Sequence, residues 1–95
     1  MRLDQFLRAS RLVVRRSIAQ ELCEAGAVLV NDTPARSSRT VRAGDHVVLL
    51  RRDRRLAVRV LAIPTTRNVS KAESSALYEL ISDERLREED DAVMR

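Results

Sequence analysis

The sequence predicts an α+β domain in which two short helices pack on a small, mostly antiparallel sheet, with a C-terminal helix and a charged tail. Three observations carry this. Apolar residues recur at helical spacing up to Ala25, the chain after Gly26 breaks into short Val- and Leu-rich runs, and turn residues separate those runs. A chain of 95 residues with 44% apolar content, one Tyr, one Phe and no Trp forms one small domain. Such a domain buries only about 60 to 65% of its unfolded surface, so large internal active-site cavities are not expected.

Leu3, Phe6 and Leu7 fall at i, i+3 and i+4, which predicts a first helix over about Leu3 to Ala9. The segment Ser10 to Arg16 loses the period. Ser17, with Gln20 three residues on, has the pattern of a capping box opening a second helix, whose buried stripe is Ile18, Leu22 and Ala25. Gly26 stands where a left-handed C-terminal cap is expected. Strands are predicted at Val28 to Val30, Val47 to Arg51 and Leu56 to Leu61, with Leu56, Val58 and Val60 on one face of the last. Asn31-Asp32-Thr33-Pro34 and Ala43-Gly44-Asp45 read as turns, and Arg51 to Arg55 as the tip of a hairpin. Pro64 to Ser70 reads as a linker, Lys71 to Ser82 returns to helical spacing through Ala76, Leu77, Leu80 and Ile81, and Asp83 to Arg95 reads as a fraying charged tail. The expected boundaries are a domain over 1–63, then linker, helix and acidic tail over 64–95.

The net charge of +4 hides an uneven layout. Met1 to Lys71 holds 15 Lys+Arg against 6 Asp+Glu, a net +9, whereas Ala72 to Arg95 holds 3 against 8, a net −5. A basic body favours a polyanion partner, because cationic side chains neutralise phosphates and release their counterions. Of the 18 basic residues 17 are arginine, whose planar fork suits phosphates. Apolar runs are far below the roughly 20 residues needed to span a bilayer, the opening residues lack the apolar stretch of a secretory signal, and the single Cys23 can form no internal disulfide. A cytoplasmic protein without membrane contact is expected.

Catalysis finds little support. His46 is the only histidine and reads as a strand residue, Cys23 as a small buried hydrophobe, and Glu88-Glu89-Asp90-Asp91 as solvated surface charge. No enzyme activity, metal or cofactor is expected. Aromatic content of 2% also argues against binders that stack successive bases on aromatic platforms. What remains is recognition of an RNA backbone by arginines. The primary candidates are Arg2, Arg8, Arg11, Arg15 and Arg16, gathered if the two helices form a hairpin with the basic turn outermost. Arg15 and Arg16 precede the second helix, whose unpaired N–H groups would add to their charge. Arg51, Arg52, Arg54 and Arg55 form a less specific secondary candidate.

Arg2-Leu3-Asp4-x-Phe6-Leu7, Ser10-Arg11-Leu12, Arg15-Arg16-Ser17-x-Ala19, Gly26-x-Val28-x-Val30-Asn31 and Val41-x-x-Gly44-Asp45-x-Val47 occur in that order. Over about Met1 to Leu61 this series resembles the S-four-type RNA-binding domain, or alpha-L motif. The resemblance implies two helices on a small sheet. Pseudouridine synthases and tyrosyl-tRNA synthetases join that domain to a catalytic one. This chain is more similar to the RqcP group of small ribosome-associated quality-control factors, in its first residues, its Arg15-Arg16 pair and its Ala76-Leu77-Tyr78 segment. The group is related to heat-shock protein fifteen, whose extension is generally longer and more basic.

That resemblance implies binding to an obstructed large ribosomal subunit, contacts with large-subunit rRNA and P-site peptidyl-tRNA, and support of RqcH during untemplated alanine tailing. It also implies RNA contact by Arg2 and Arg16, with Arg11 and Arg15 as neighbours. Off the ribosome a monomer is expected. The family often has Gly where this chain has Asp32, which leaves the geometry of that turn open. The alternatives are heat-shock-type recycling of large subunits, or an antitoxin-like module whose acidic helix from Lys71 onward covers a protein while the basic body binds DNA.

Overall fold

The computed structural model describes residues 1–65 and 69–85. Helices α1 (Leu3–Ala9) and α2 (Arg16–Glu24) are followed by β1 (Val28–Val30), β2 (Thr33–Pro34), β3 (His46–Arg51), β4 (Arg54–Val60), α3 (Lys71–Ser75) and β5 (Tyr78–Arg85). The five strands form one antiparallel sheet in the order β2-β1-β3-β4-β5. The core lies between this sheet and the first two helices: Leu3, Phe6 and Leu7 of α1 are fully buried with Val28, Val30, Val47, Val58 and Val60.

Helix α1 forms where its apolar spacing predicts. Its first N–H groups, which have no partner within a helix, are taken up by a loop: Leu3 N–H donates to the Arg39 carbonyl at 2.7 Å and Asp4 N–H to Ser37 at 3.1 Å. The start of the chain is thereby fixed against residues 37–41, and Val41 N–H donates to the Met1 carbonyl at 2.9 Å.

Helix α2 differs from expectation at its start. It begins at Arg16 with Arg15 as N-cap, and the Ser17 capping box does not form. Gln20 reaches instead to Asp4, a tertiary partner that outcompetes the local cap. Its inner residues are Ala19 and Cys23, with Ile18 and Leu22 packed beside them, and Ala25 is exposed. The end is as predicted: Gly26 has φ +74°, and the N–H groups of Gly26 and Ala27 donate to the Cys23 and Leu22 carbonyls, closing a Schellman motif.

Between β1 and β2, Asn31 and Asp32 both have positive φ, 52° and 70°, so the chain makes the primed two-residue turn that suits a tight hairpin. Asp32 takes the left-handed position despite not being Gly. The Asn31 carboxamide binds onward, donating to the Asp45 carboxylate at 3.2 Å and accepting from His46 N–H at 2.9 Å, which ties this hairpin to the start of β3. The predicted five-residue tip at Arg51 to Arg55 is tighter than expected. Arg51 pairs with Arg54 across the ladder, leaving Arg52-Asp53 as the turn and Arg54 and Arg55 inside β4.

The helix expected over Lys71 to Ser82 is overturned. Only Lys71–Ser75 is helical, opened by a Ser70 and Glu73 capping box and closed where the hydroxyls of Ser74 and Ser75 bond back to Lys71 and Ala72 carbonyls. Leu77 plugs into the core, and from Tyr78 the chain pairs with the open edge of β4 along its whole length. Apolar positions at 77, 80 and 81 satisfy a short helix or a bulged strand equally well. A shift in register at Ala57 and Val58 leaves Ile81 as the extra residue, and the unpaired β4 edge decides for the strand. Asp83 to Arg85 therefore end a strand rather than begin a tail, and the antitoxin-like reading loses the acidic helix on which it rested. Residues 86–95, including the acidic run, lie outside the described residues.

Candidate nucleic-acid interface

The α1–α2 corner is organised by a residue that charge counting overlooks. The Asp4 side chain is fully buried, and three donors converge on it. Arg2 binds in a fork, Nε to Oδ1 at 3.1 Å and Nη2 to Oδ2 at 3.2 Å; Arg16 Nε reaches Oδ2 at 3.1 Å and Gln20 Nε2 the same oxygen at 2.9 Å. Burial by itself would raise the Asp4 pKa. Hydrogen bonds from Arg2, Gln20 and Arg16, with the Arg16 charge, outweigh it and hold the pKa at about 2.

The consequence for the arginines is positional. Each is held by its inner edge while its side chain remains about 40% exposed (43% for Arg2, 40% for Arg16). A guanidinium carries five N–H donors in a fixed plane, so anchoring one edge leaves outer donors in a set orientation. Two such groups around one buried acid leave a net positive charge and can grip a phosphate with little loss of rotamer freedom.

The other primary candidates follow the connection between the helices. Arg8 is exposed in the last turn of α1 and Arg15 is exposed as the N-cap of α2. Arg11 has φ 63°, a left-handed backbone rare outside Gly, and its guanidinium donates to the Val69 carbonyl at 3.3 Å. Val14, beside Arg15, is 85% exposed. Convergence through a shared partner is thus seen for Arg2 and Arg16, whereas Arg8, Arg11 and Arg15 line the same connection without one.

The secondary candidates divide. Arg54 binds the Asp83 carboxylate, Nε to Oδ1 at 2.9 Å, and Arg55 Nη1 lies 3.9 Å from Glu84 Oε1, both acids belonging to β5. The bond to Arg54 lowers the Asp83 pKa and raises that of Arg54. Arg51 and Arg52 make no ion pair among the described residues. The sequence shows Asp4 only as part of a matching segment. The available signal was the Arg16 to Gln20 spacing, which puts two donors on one helix face.

Cys23 is buried and its thiol pKa is pushed up, by burial first and by the Asp4 and Glu24 charges. Among the described residues no group of His, Cys, Asp and Glu is placed to hold a metal, and no helix is long and apolar enough to cross a membrane.

The S4 domain matches residues 1–47. The RQC P-site tRNA stabilizing factor of Halalkalibacterium halodurans is 39% identical over 84 residues, covering 88% of this chain and 93% of that protein. The factor of the same name from Helicobacter pylori is 36% identical over 74 residues, covering 78% and 88%. Among solved structures, trimeric Vibrio cholerae heat shock protein 15 superposes with a TM-score of 0.77 at 26% identity over 99% of this chain and 93% of that one. The solution structure of hypothetical protein HP1423 gives 0.75 at 33% identity over 88% and 100%.

Proposed function

The chain belongs to the family of RQC P-site tRNA stabilizing factors, and from that premise we propose that it is a noncatalytic RNA clamp acting in ribosome-associated quality control. It binds a large ribosomal subunit obstructed by peptidyl-tRNA, touching large-subunit rRNA and the P-site tRNA together. It supports RqcH while that partner adds alanines to the stalled chain. The observation that carries this reading is the pair of guanidinium groups held on buried Asp4. A rigid donor array positions a nucleic-acid backbone without reading its sequence, which is what holding a tRNA in place requires. Arg2 and Arg16 make the principal phosphate contacts, with Arg8, Arg11 and Arg15 extending them.

Cosedimentation with purified large subunits tests this. Binding should be stronger when the subunits carry peptidyl-tRNA, and equal binding to any duplex DNA would overturn the proposal. Likeness to heat shock protein 15 over nearly the whole chain favours a second reading, recycling of large subunits without tail synthesis. Addition of RqcH to a reconstituted stalled subunit separates the two, since only the first reading expects this protein to increase alanine incorporation.

A further inference from the structure

Away from the Asp4 cluster the molecule carries a groove of about 320 Å³. Its floor is Leu49 of β3 and Leu56 of β4, which are paired across the ladder. Leu12 of the α1–α2 connection and Tyr78 and Leu80 of β5 form its sides. One end is polar, formed by Arg51 together with the Arg54 and Asp83 pair.

Size and chemistry restrict what fits. Small-ligand sites run from roughly 300 to 1,000 Å³, so this groove takes one ring system and no helix. Leucines and a phenol ring offer apolar faces to a flat group. Arg51, without an ion pair among the described residues and followed by Arg52 in the turn, offers a cation to an anion attached to that group. The Arg54 and Asp83 pair presents both donors and acceptors to a polar ring edge. An aromatic heterocycle joined to a phosphate matches all three features. Through Leu12 the groove adjoins the α1–α2 connection that carries Arg11.

We propose that the groove receives one unpaired nucleotide of the bound RNA, its base against Tyr78 and the leucines and its phosphate at Arg51. The proposal rests on the RNA-clamp reading and adds selectivity to it: the arginines grip any backbone, and the groove favours RNA with an unstacked base at the right distance.

The chain has no Trp and Tyr78 is its only tyrosine, so intrinsic fluorescence reports on the groove alone. The full chain is titrated with a fully paired RNA hairpin and with the same hairpin carrying one bulged adenosine. The bulged RNA should bind about 5- to 20-fold tighter, as stacking one base allows, and should quench the tyrosine emission, while the paired hairpin binds without quenching. Leu80→Glu should abolish the difference and leave affinity for the paired hairpin within about threefold, because Leu80 is 54% exposed and its substitution spares the fold. Tyr78→Leu, which keeps apolar bulk but removes the ring, should reduce the preference likewise. Equal affinity for both hairpins without quenching overturns the groove proposal and leaves the clamp intact. Failure to bind either hairpin overturns both.

Discussion

Asp4→Asn separates a buried acid that anchors arginines from one that merely offsets their charge. In the fold Asp4 ionises at about 2, against 3.8 for an ordinary aspartate. At about 1.4 kcal/mol per pH unit, this difference is worth about 2 kcal/mol of stability at neutral pH. Asparagine keeps the shape but loses the charge, and it turns an amide donor toward three donors. Arg2 and Arg16 are partly exposed and can rehydrate, so the loss stays near that figure rather than the roughly 3 to 5 kcal/mol of a fully buried broken pair. In a domain of this size that lowers Tm by about 8 to 16 °C. The pH dependence has a definite sign. A depressed pKa contributes stability that is complete above the unfolded value near 4 and disappears as pH falls toward 2. Urea unfolding of both proteins from pH 7 to pH 2 should therefore show the full gap above about pH 5, about half of it near pH 3 and little at pH 2. RNA affinity at pH 7 should fall, although the variant is one charge more positive. A gap that persists at pH 2, or tighter RNA binding by the variant, would refute the anchoring argument.

Three further outcomes are expected. Arg16→Ala should reduce the log-log salt slope of RNA binding by about 0.7 to 0.9 for each phosphate that is no longer neutralised, measured by anisotropy across a salt series; Arg16→Lys should not restore it, because an ammonium cannot hold Asp4 and present an outer fork together. Asp83→Asn should release Arg54 and tighten RNA binding at low salt by about two- to fivefold, read in the same titrations, with little change in thermal unfolding because the pair lies at the surface. Asp32→Gly should raise stability by about 0.5 to 1 kcal/mol in urea unfolding, since φ 70° at that turn position strains any residue with a Cβ.

The sequence makes the first half of the molecule legible because its signals there are local. Leu3, Phe6 and Leu7 specify α1, Gly26 ends α2, and Val28 to Val30 reads as a strand leading into a turn at Asn31-Asp32, although Thr33 and Pro34, read as part of that turn, form the short strand β2. What it leaves obscure depends on partners distant in sequence. Gln20 forsakes the Ser17 cap for Asp4, 16 residues away, and Tyr78 onward forsakes helical spacing for the edge of β4. Both changes satisfy groups that local patterns do not register, a buried carboxylate in one case and a row of unpaired backbone N–H and C=O groups in the other. The candidate site follows the same division. Its basic character is visible in the residues, whereas the anchoring of Arg2 and Arg16 on a shared acid is visible only once the helices are packed.

Strand β5 also changes what the acidic charge accomplishes. Its acids are not spread diffusely against a basic body: Glu79 lies opposite Arg59 and Glu84 opposite Arg55 in the ladder, while Asp83 binds Arg54. Acid across from arginine is the pairing that stabilises neighbouring strands, and it cancels charge on the sheet where it stands. The first helices have no cross-strand pairing of this kind, although α2 carries the acids Glu21 and Glu24. Asp4 is shared by Arg2 and Arg16, and Arg8, Arg11 and Arg15 have no acid partner among the described residues. Exposed arginines without an ion pair among the described residues therefore stand at the α1–α2 connection (Arg8, Arg11 and Arg15), in the loop ahead of β3 (Arg36, Arg39 and Arg42) and in the β3–β4 hairpin (Arg51 and Arg52). Pairing the arginines of β4 with the acids of β5 withdraws Arg54 and Arg55 from competition for a polyanion and leaves that contact to the unpaired arginines.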